Sequence, residues 1–255
     1  MIIENELRLA VLIDADNVPY NNVKGMMEEI TKYGSPTIKR IYGDWTKPTV
    51  SGWKNVLLEN AITPIQQYSY TQGKNATDSA MIIDAMDILY TDKVGGFVIV
   101  SSDSDFTRLA TRLREAGKKV YGIGEQKTPE PFRVACDKFI YIEIIEPTGN
   151  RKVGHYSEMP KESEAAKEAK SGIVKIGKEL INLIAGTITD VGDENGWAFL
   201  ADVGNLISRK QPDFDPRNFG FQKLTPLMKT LKEFEIDERE SGNSKIKHIY
   251  VRNKR

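Results

Sequence analysis

Two stretches of the chain run from apolar residues straight into carboxylates. In "LAVLIDADN" (Leu9–Asn17) the apolar run delivers Asp14, then Asp16 and Asn17; in "GFVIVSSDSDF" (Gly96–Phe106) a second run ends at Asp103 and Asp105. A third acid, Asp78, heads the segment "TDSAMIIDAMDILY" (Thr77–Tyr90), with Asp84 and Asp87 behind it. Apolar side chains seek burial and carboxylates seek water, so acids at the mouth of a core need a reason. Several carboxylates on one rim repel each other, and their pKa values rise unless a cation neutralises them. Oxygen donors with no histidine or cysteine nearby select Mg²⁺ or Mn²⁺ over zinc. Such an ion can activate water and stabilise charge on a phosphodiester. Asp14, Asp78 and Asp103 are the expected ligands, with Asp105 assisting directly or from just outside. Taken singly, each acid could equally be a strand-end turn former or a helix cap.

The elements that must position these acids alternate. "RLAVLI", "TIKRIYG", "ITPIQQY", "FVIVSS", "KKVYGIG" and "KFIYIE" read as strands. "NVKGMMEEITKY", "SGWKNVLLEN", "TDSAMIIDAMDILY" and "SDFTRLATRLREAG" read as helices between them, with a short one near "PEPFRVAC". Continuous apolar strands alternating with helices argue an α/β fold whose parallel sheet is covered on both faces. The C-terminal strand ends of such a sheet line its ligand crevice, so Asp14 and Asp103 reach the same rim. At roughly 100° per residue, Met81, Ile82, Ala85 and Leu89 fall within about 60° of Asp78. Asp78 therefore heads the stripe facing the sheet, at a helix N-terminus where the dipole favours a carboxylate. Thr77 could cap that helix equally well, and Asp84 and Asp87 lie towards the flank of the stripe. Ser102 or Ser104 is expected to cap the helix that starts near Asp105. That helix buries Phe106, Leu109, Ala110 and Leu113, while Arg108 and Arg112 on its other side face solvent or a phosphate backbone.

Composition sets broad limits. The chain has 255 residues, 40% hydrophobic and 28% charged, with 36 basic and 36 acidic side chains. That balance by itself argues for no partner. The first apolar run is far shorter than a membrane span and no secretory signal is evident, so a cytoplasmic protein without a membrane anchor is expected. The single cysteine, Cys136, cannot form an internal disulfide, and no zinc spacing exists. His155 and His248 have no catalytic surroundings.

Residues 147–171 are polar and poor in large apolar side chains, which reads as a linker between a domain over 1–146 and another over 172–255. In the second domain "IVKIGKELINLIAGTI", "AFLADVGNLISR" and "FGFQKLTPLMKTL" carry helical periodicity. "FEIDER" and "KIKHIYVR" then alternate as strands around the turn signal "ESGNS". Three helices and a β-hairpin suggest a small winged-helix module with a locally basic tail.

"LIDADN" (Leu12–Asn17), "KNATDSAMIIDAMD" (Lys74–Asp87) and "VSSDSDF" (Val100–Phe106) together resemble the NYN domain family, LabA-like proteins of the PIN-like nuclease superfamily. The resemblance implies an α/β/α sandwich with a mainly parallel central sheet, whose aspartates bind Mg²⁺ or Mn²⁺ and cleave RNA. It places the family's acids on Asp14, Asp78, Asp103 and Asp105, with Asn17 and Asp84 in support; Ser102 is a further supporting candidate from its place beside Asp103. "WAFLADVGNLISRKQPDFDPRNFGFQKLTPLMKTL" (Trp197–Leu231) resembles the OST-HTH, or LOTUS, domain, which implies RNA contact. Arg209, Lys210, Arg217 and Lys223 are the candidate contacts there. The expected function is a metal-dependent ribonuclease, with a non-catalytic RNA-binding adaptor as the competing reading. The same phosphodiester chemistry would serve DNA, and exposed helices of such a domain are compatible with a homodimer. "LIDAD" also resembles the opening motif of haloacid-dehalogenase-type phosphatases, but the later lysine and acid pair are missing and Asp78 would go unexplained.

Overall fold

The structure, a computed structural model, describes residues 6–46, 52–68, 76–146, 173–240 and 247–254. The chain divides into two compact units, Met1–Glu162 and Ser163–Arg255. The stretch 147–171 expected as a linker, His155 within it and most of the "ESGNS" turn lie outside the described residues.

In the first unit six strands form one parallel sheet in the order β3-β2-β1-β4-β5-β6. They are β1 (Arg8–Asp14), β2 (Ser35–Gly43), β3 (Thr63–Gln66), β4 (Gly96–Val100), β5 (Lys119–Gly124) and β6 (Lys138–Tyr141). Five helices connect them: α1 (Val23–Ile30), α2 (Trp53–Asn60), α3 (Ala76–Thr91), α4 (Thr107–Glu115) and α5 (Glu130–Ala135). Side chains alternate across a strand, and β1 divides its own accordingly. Leu9, Val11 and Ile13 meet Val23, Met26 and Ile30 of α1 and Trp53 and Leu57 of α2. Ala10 and Leu12 face the other way, onto Met81, Ala85 and Ile88 of α3 and Leu109, Ala110 and Leu113 of α4. Both faces are covered, giving the α/β/α sandwich expected from the apolar runs. The chain leaves β1 through β2 and β3 on one side, then returns to β4 on the other. This reversal beside β1 is a topological switch point, where open α/β sheets form a crevice.

The second unit packs α6 (Lys178–Val191), α7 (Leu200–Lys210) and α8 (Leu224–Thr230) against β7 (Ala198–Phe199), β8 (Phe234–Glu240) and β9 (Lys247–Asn253). Its strands form an antiparallel sheet in the order β7-β9-β8, the wing of a winged-helix module. Two helices are shorter than the periodicity predicts. Residues 173–177 are not helical: the Val174 amide donates to the Asn218 carbonyl at 2.7 Å, and Gly177 is extended where α6 begins. Residues 219–223 are diverted by a 3₁₀ turn at Pro216–Phe219, closed by Gly220 at φ +84°, a left-handed value that suits glycine. Phe214 is buried and Phe219 and Phe221 pack on the core, so the proline- and aspartate-rich loop folds back as its aromatics require. Among the described residues no helix is long and apolar enough to cross a membrane.

Candidate active site

Asp14 is the last residue of β1. Alternation from Ala10 and Leu12 turns it to the α3 side of the sheet, where it is only 1% exposed. Burial pushes its pKa up, and three donors offset part of that penalty. Asn17 Nδ2 donates to Oδ2 at 2.7 Å, Ser101 Oγ donates to Oδ2 at 2.8 Å, and the Asp16 amide donates to Oδ1 at 3.1 Å.

Ser101 had no place in the sequence reading, which chose Ser102. The structure gives Ser101 the central position. It continues the parity of Phe97 and Ile99 on β4, is fully buried, and accepts from the Asp103 amide at 3.1 Å while donating to Asp14. One hydroxyl thus ties the ends of the two switch-point strands together. Ser102 instead accepts from the Glu125 amide at 2.9 Å. A glycine ends β5 here because a Cβ at Gly124 would stand 2.6 Å from the Ser101 carbonyl oxygen. Gly124→Ala should therefore displace Ser101 and lower thermal stability by about 1–3 kcal/mol, the usual range for overpacking. A melting curve unchanged from the parent would contradict the contact.

Three carboxylates converge beside Asp14. One oxygen from each of Asp78, Asp103 and Asp105 lies within 4.8 Å of the others. Asp103 accepts from the Asp105 amide at 2.9 Å and caps the 3₁₀ turn Ser104–Phe106 that leads into α4. The cap is this acid and neither Ser102 nor Ser104. Asp105 is exposed, and Asp78 sits part-buried in the first turn of α3. Asp16 joins from the β1 loop, accepting from Thr77 Oγ1 at 3.4 Å. The tightest group thus takes in Asp105 in place of Asp14, whose oxygens are already held by donors.

The electrostatics of the group appear at Asp78. Burial first, then the charges of Asp14, Asp103, Asp105 and Asp16, push its carboxyl up to about 6. A folded-state pKa above the ordinary 3.8 means that the folded protein binds the extra proton between those two values. Stability contributed by this group therefore falls as pH rises through that window, and Asp14 acts in the same direction. In EDTA, Asp78→Asn should melt above the parent at neutral pH, the gap closing towards pH 4. A gap independent of pH would refute the raised carboxyl.

Asp84 is elsewhere. On α3 it pairs with the Arg40 guanidinium and accepts from the Tyr42 hydroxyl, both on β2. It is therefore neither a member of the acidic group nor simply solvated. Burial and Asp84 together push the Tyr42 phenol well above its usual range. Asp87 is exposed. Arg108 is exposed and Arg112 part-buried on α4, one and two turns beyond the acids. In the second unit Lys210 pairs with Asp190, and Arg217 clamps Asp215 through Nε at 3.0 Å and Nη2 at 2.8 Å. Arg209 and Lys223 are exposed.

The model of the NYN domain matches residues 8–143, and that of the OST-HTH/LOTUS domain matches residues 174–246. Among solved structures, a protein of unknown function from Vibrio parahaemolyticus is 20% identical, covering 56% of this chain and 96% of its own, with a TM-score of 0.48. An uncharacterized protein from Nitrosomonas europaea is 24% identical over 43% of this chain and 92% of its own, with a TM-score of 0.29. A protein fragment from Chromobacterium violaceum is 31% identical over 29% and 78%, with a TM-score of 0.25. A search of curated proteins finds no match.

Proposed function

The chain belongs to the NYN domain family, and from that premise we propose that it is a metal-dependent ribonuclease with its own RNA-binding module. Residues 1–146 form the catalytic domain, 147–171 the linker and 172–255 the module. The observation that carries the reading is the convergence of Asp78, Asp103 and Asp105 beside buried Asp14 at the switch point. The donor set fits a hard divalent cation: all ligands are carboxylate oxygens, and the Asp78 carboxyl, raised first by burial and then by its acidic neighbours, is one that a cation would return to its charged form. Mg²⁺ or Mn²⁺ bound there supplies Lewis-acid neutralisation of phosphodiester charge and a water acidified enough to attack phosphorus.

The chain's own groups do the rest. Asp78, Asp103 and Asp105 hold the cation. Asp14, fixed by Asn17 and Ser101, completes the negative rim and keeps Asp103 in register through the Ser101 hydroxyl. Arg108 and Arg112, one and two turns beyond the acids on α4, are the candidates to meet the phosphate backbone. Asp84 supports the site only by securing α3 to β2.

The test is cleavage of labelled single- and double-stranded RNAs by the full chain in Mg²⁺, Mn²⁺ or EDTA. Cutting that needs the metal is expected, and cutting unaffected by EDTA would sink the proposal. One feature favours the adaptor reading instead: both Asp14 oxygens already accept internal hydrogen bonds. Tight RNA binding with no cutting in either metal would select that alternative.

A further inference from the structure

The wing sheet of the second unit has two faces of different chemistry. Ala198, Phe234, Ile236, Ile249 and Val251 point into the helical core. Strand alternation sends Phe199, Arg239, His248, Tyr250 and Arg252 to the opposite face, where Trp197 joins them just before β7. None of Trp197, Phe199 and Tyr250 belongs to the core cluster, and all three are part-exposed.

On this face flat groups stack against one another. The Arg239 guanidinium lies 4.1 Å from the Tyr250 ring centroid and 5.3 Å from that of Trp197, and Arg252 lies 4.6 Å from Trp197. Phe199 stands 5.6 Å from Tyr250 and 5.4 Å from His248. Both arginines are neutralised beside the rings, Arg239 by Asp237 at 2.8 Å and Arg252 by Glu235 at 2.5 Å. The centre of the face is therefore broad, planar and near neutral. At its edge stands exposed Lys254, just past the end of β9 and on the parity of Tyr250 and Arg252, whereas Lys247 has the parity of Ile249 and Val251 and lies 3.8 Å from Glu238.

We propose that this face stacks the unpaired bases of single-stranded RNA, with Lys254 meeting the backbone at its edge. Open antiparallel sheets that display aromatic rings and guanidinium planes suit unstacked bases, whereas a duplex keeps its bases stacked internally. A near-neutral centre of rings and guanidinium planes suits bases, and Lys254 at its edge suits a phosphate. The helix-side candidates offer less: of the four basic residues expected to contact RNA, Lys210 and Arg217 are already committed to Asp190 and Asp215. The inference rests on reading the second unit as an RNA-binding module.

The experiment uses the full chain in EDTA, with a fluorescent oligouridine of about a dozen nucleotides and a duplex RNA of equal length. The single strand should bind better than the duplex. Tyr250→Ala should weaken it roughly 5- to 150-fold, the range for one lost stacking partner, while Tyr250→Phe retains binding. Because Tyr250→Ala could disturb the wing, photo-crosslinking of 4-thiouridine RNA to the unaltered chain gives a second readout, and adducts on peptides holding Trp197, Phe199 or Tyr250 are expected. Adducts confined to the α7 peptide or to the first unit, with Tyr250→Ala binding as the parent does, would overturn this inference alone. They would leave the ribonuclease reading standing and return the face to protein docking. A preference for duplex would also overturn it, and absence of any RNA binding would overturn both.

Discussion

Asp103→Asn should all but abolish metal-dependent RNA cleavage, lowering the single-turnover rate by roughly 10²–10³-fold, or about 3–4 kcal/mol of transition-state stabilisation. The substitution is chosen for what it keeps. Asn retains an oxygen to accept from the Asp105 amide, now at 2.9 Å, so the turn into α4 stays capped. The amide of residue 103 can still donate to Ser101 Oγ, so the tie between β4 and Asp14 survives. Only one negative charge leaves the group formed with Asp78 and Asp105. RNA binding in EDTA should stay near the parent's, and the melting temperature should not fall below it. A variant that cuts at the parental rate in Mn²⁺ would remove Asp103 from the chemistry.

Asp84→Ala should show the opposite pattern. It leaves Arg40 and the Tyr42 hydroxyl without their acceptor where α3 crosses β2. Tyr42 is fully buried, so its hydroxyl loses a partner that water cannot easily replace. The expected cost is about 2 kcal/mol, with the ion pair itself adding little because both side chains are partly exposed. For a domain of this size that lowers the melting temperature by about 4–8 °C. Asp84→Asn should recover part of the loss by accepting from Tyr42. Cleavage at 25 °C should remain within a few-fold of the parent. Loss of cleavage without loss of stability would instead place Asp84 inside the acidic site.

The contrast between these two acids marks what the sequence could and could not convey. Apolar runs end where strands end, so Asp14 and Asp103 were legible as rim residues, and helical phase carried Asp78 to the same rim. Asp84 lies on the same helix, but its partners lie more than 40 residues earlier on a strand whose position beside β1 is a property of the whole sheet. Ser101 was obscured for a different reason. The choice between adjacent serines depends on how far strand parity persists past the last paired residue, and "VSS" alone does not fix that. Parity from Phe97 and Ile99 was the available signal. The bidentate clamp of Arg217 on Asp215 needs the backbone bend that Asp215 and Pro216 impose, which residue types alone do not convey. The ring ladder of the wing depends on pairing Phe199 with Tyr250, a register that no local pattern encodes.

The bond between Ser101 and Asp14 spans 87 residues of chain. Contacts of that sequence separation form only after a large loop has closed, which makes them slow and late in folding. Asp14 and Asp78 leave the ribosome well before Asp103 and Asp105, so a growing chain carries half of the acids and none of their constellation. Insertion of β4 beside β1, which joins the two sides of the sheet, also assembles the acidic centre. On the ribonuclease reading, a chain that has not yet delivered β4 to the sheet cannot cut the message from which it is being translated.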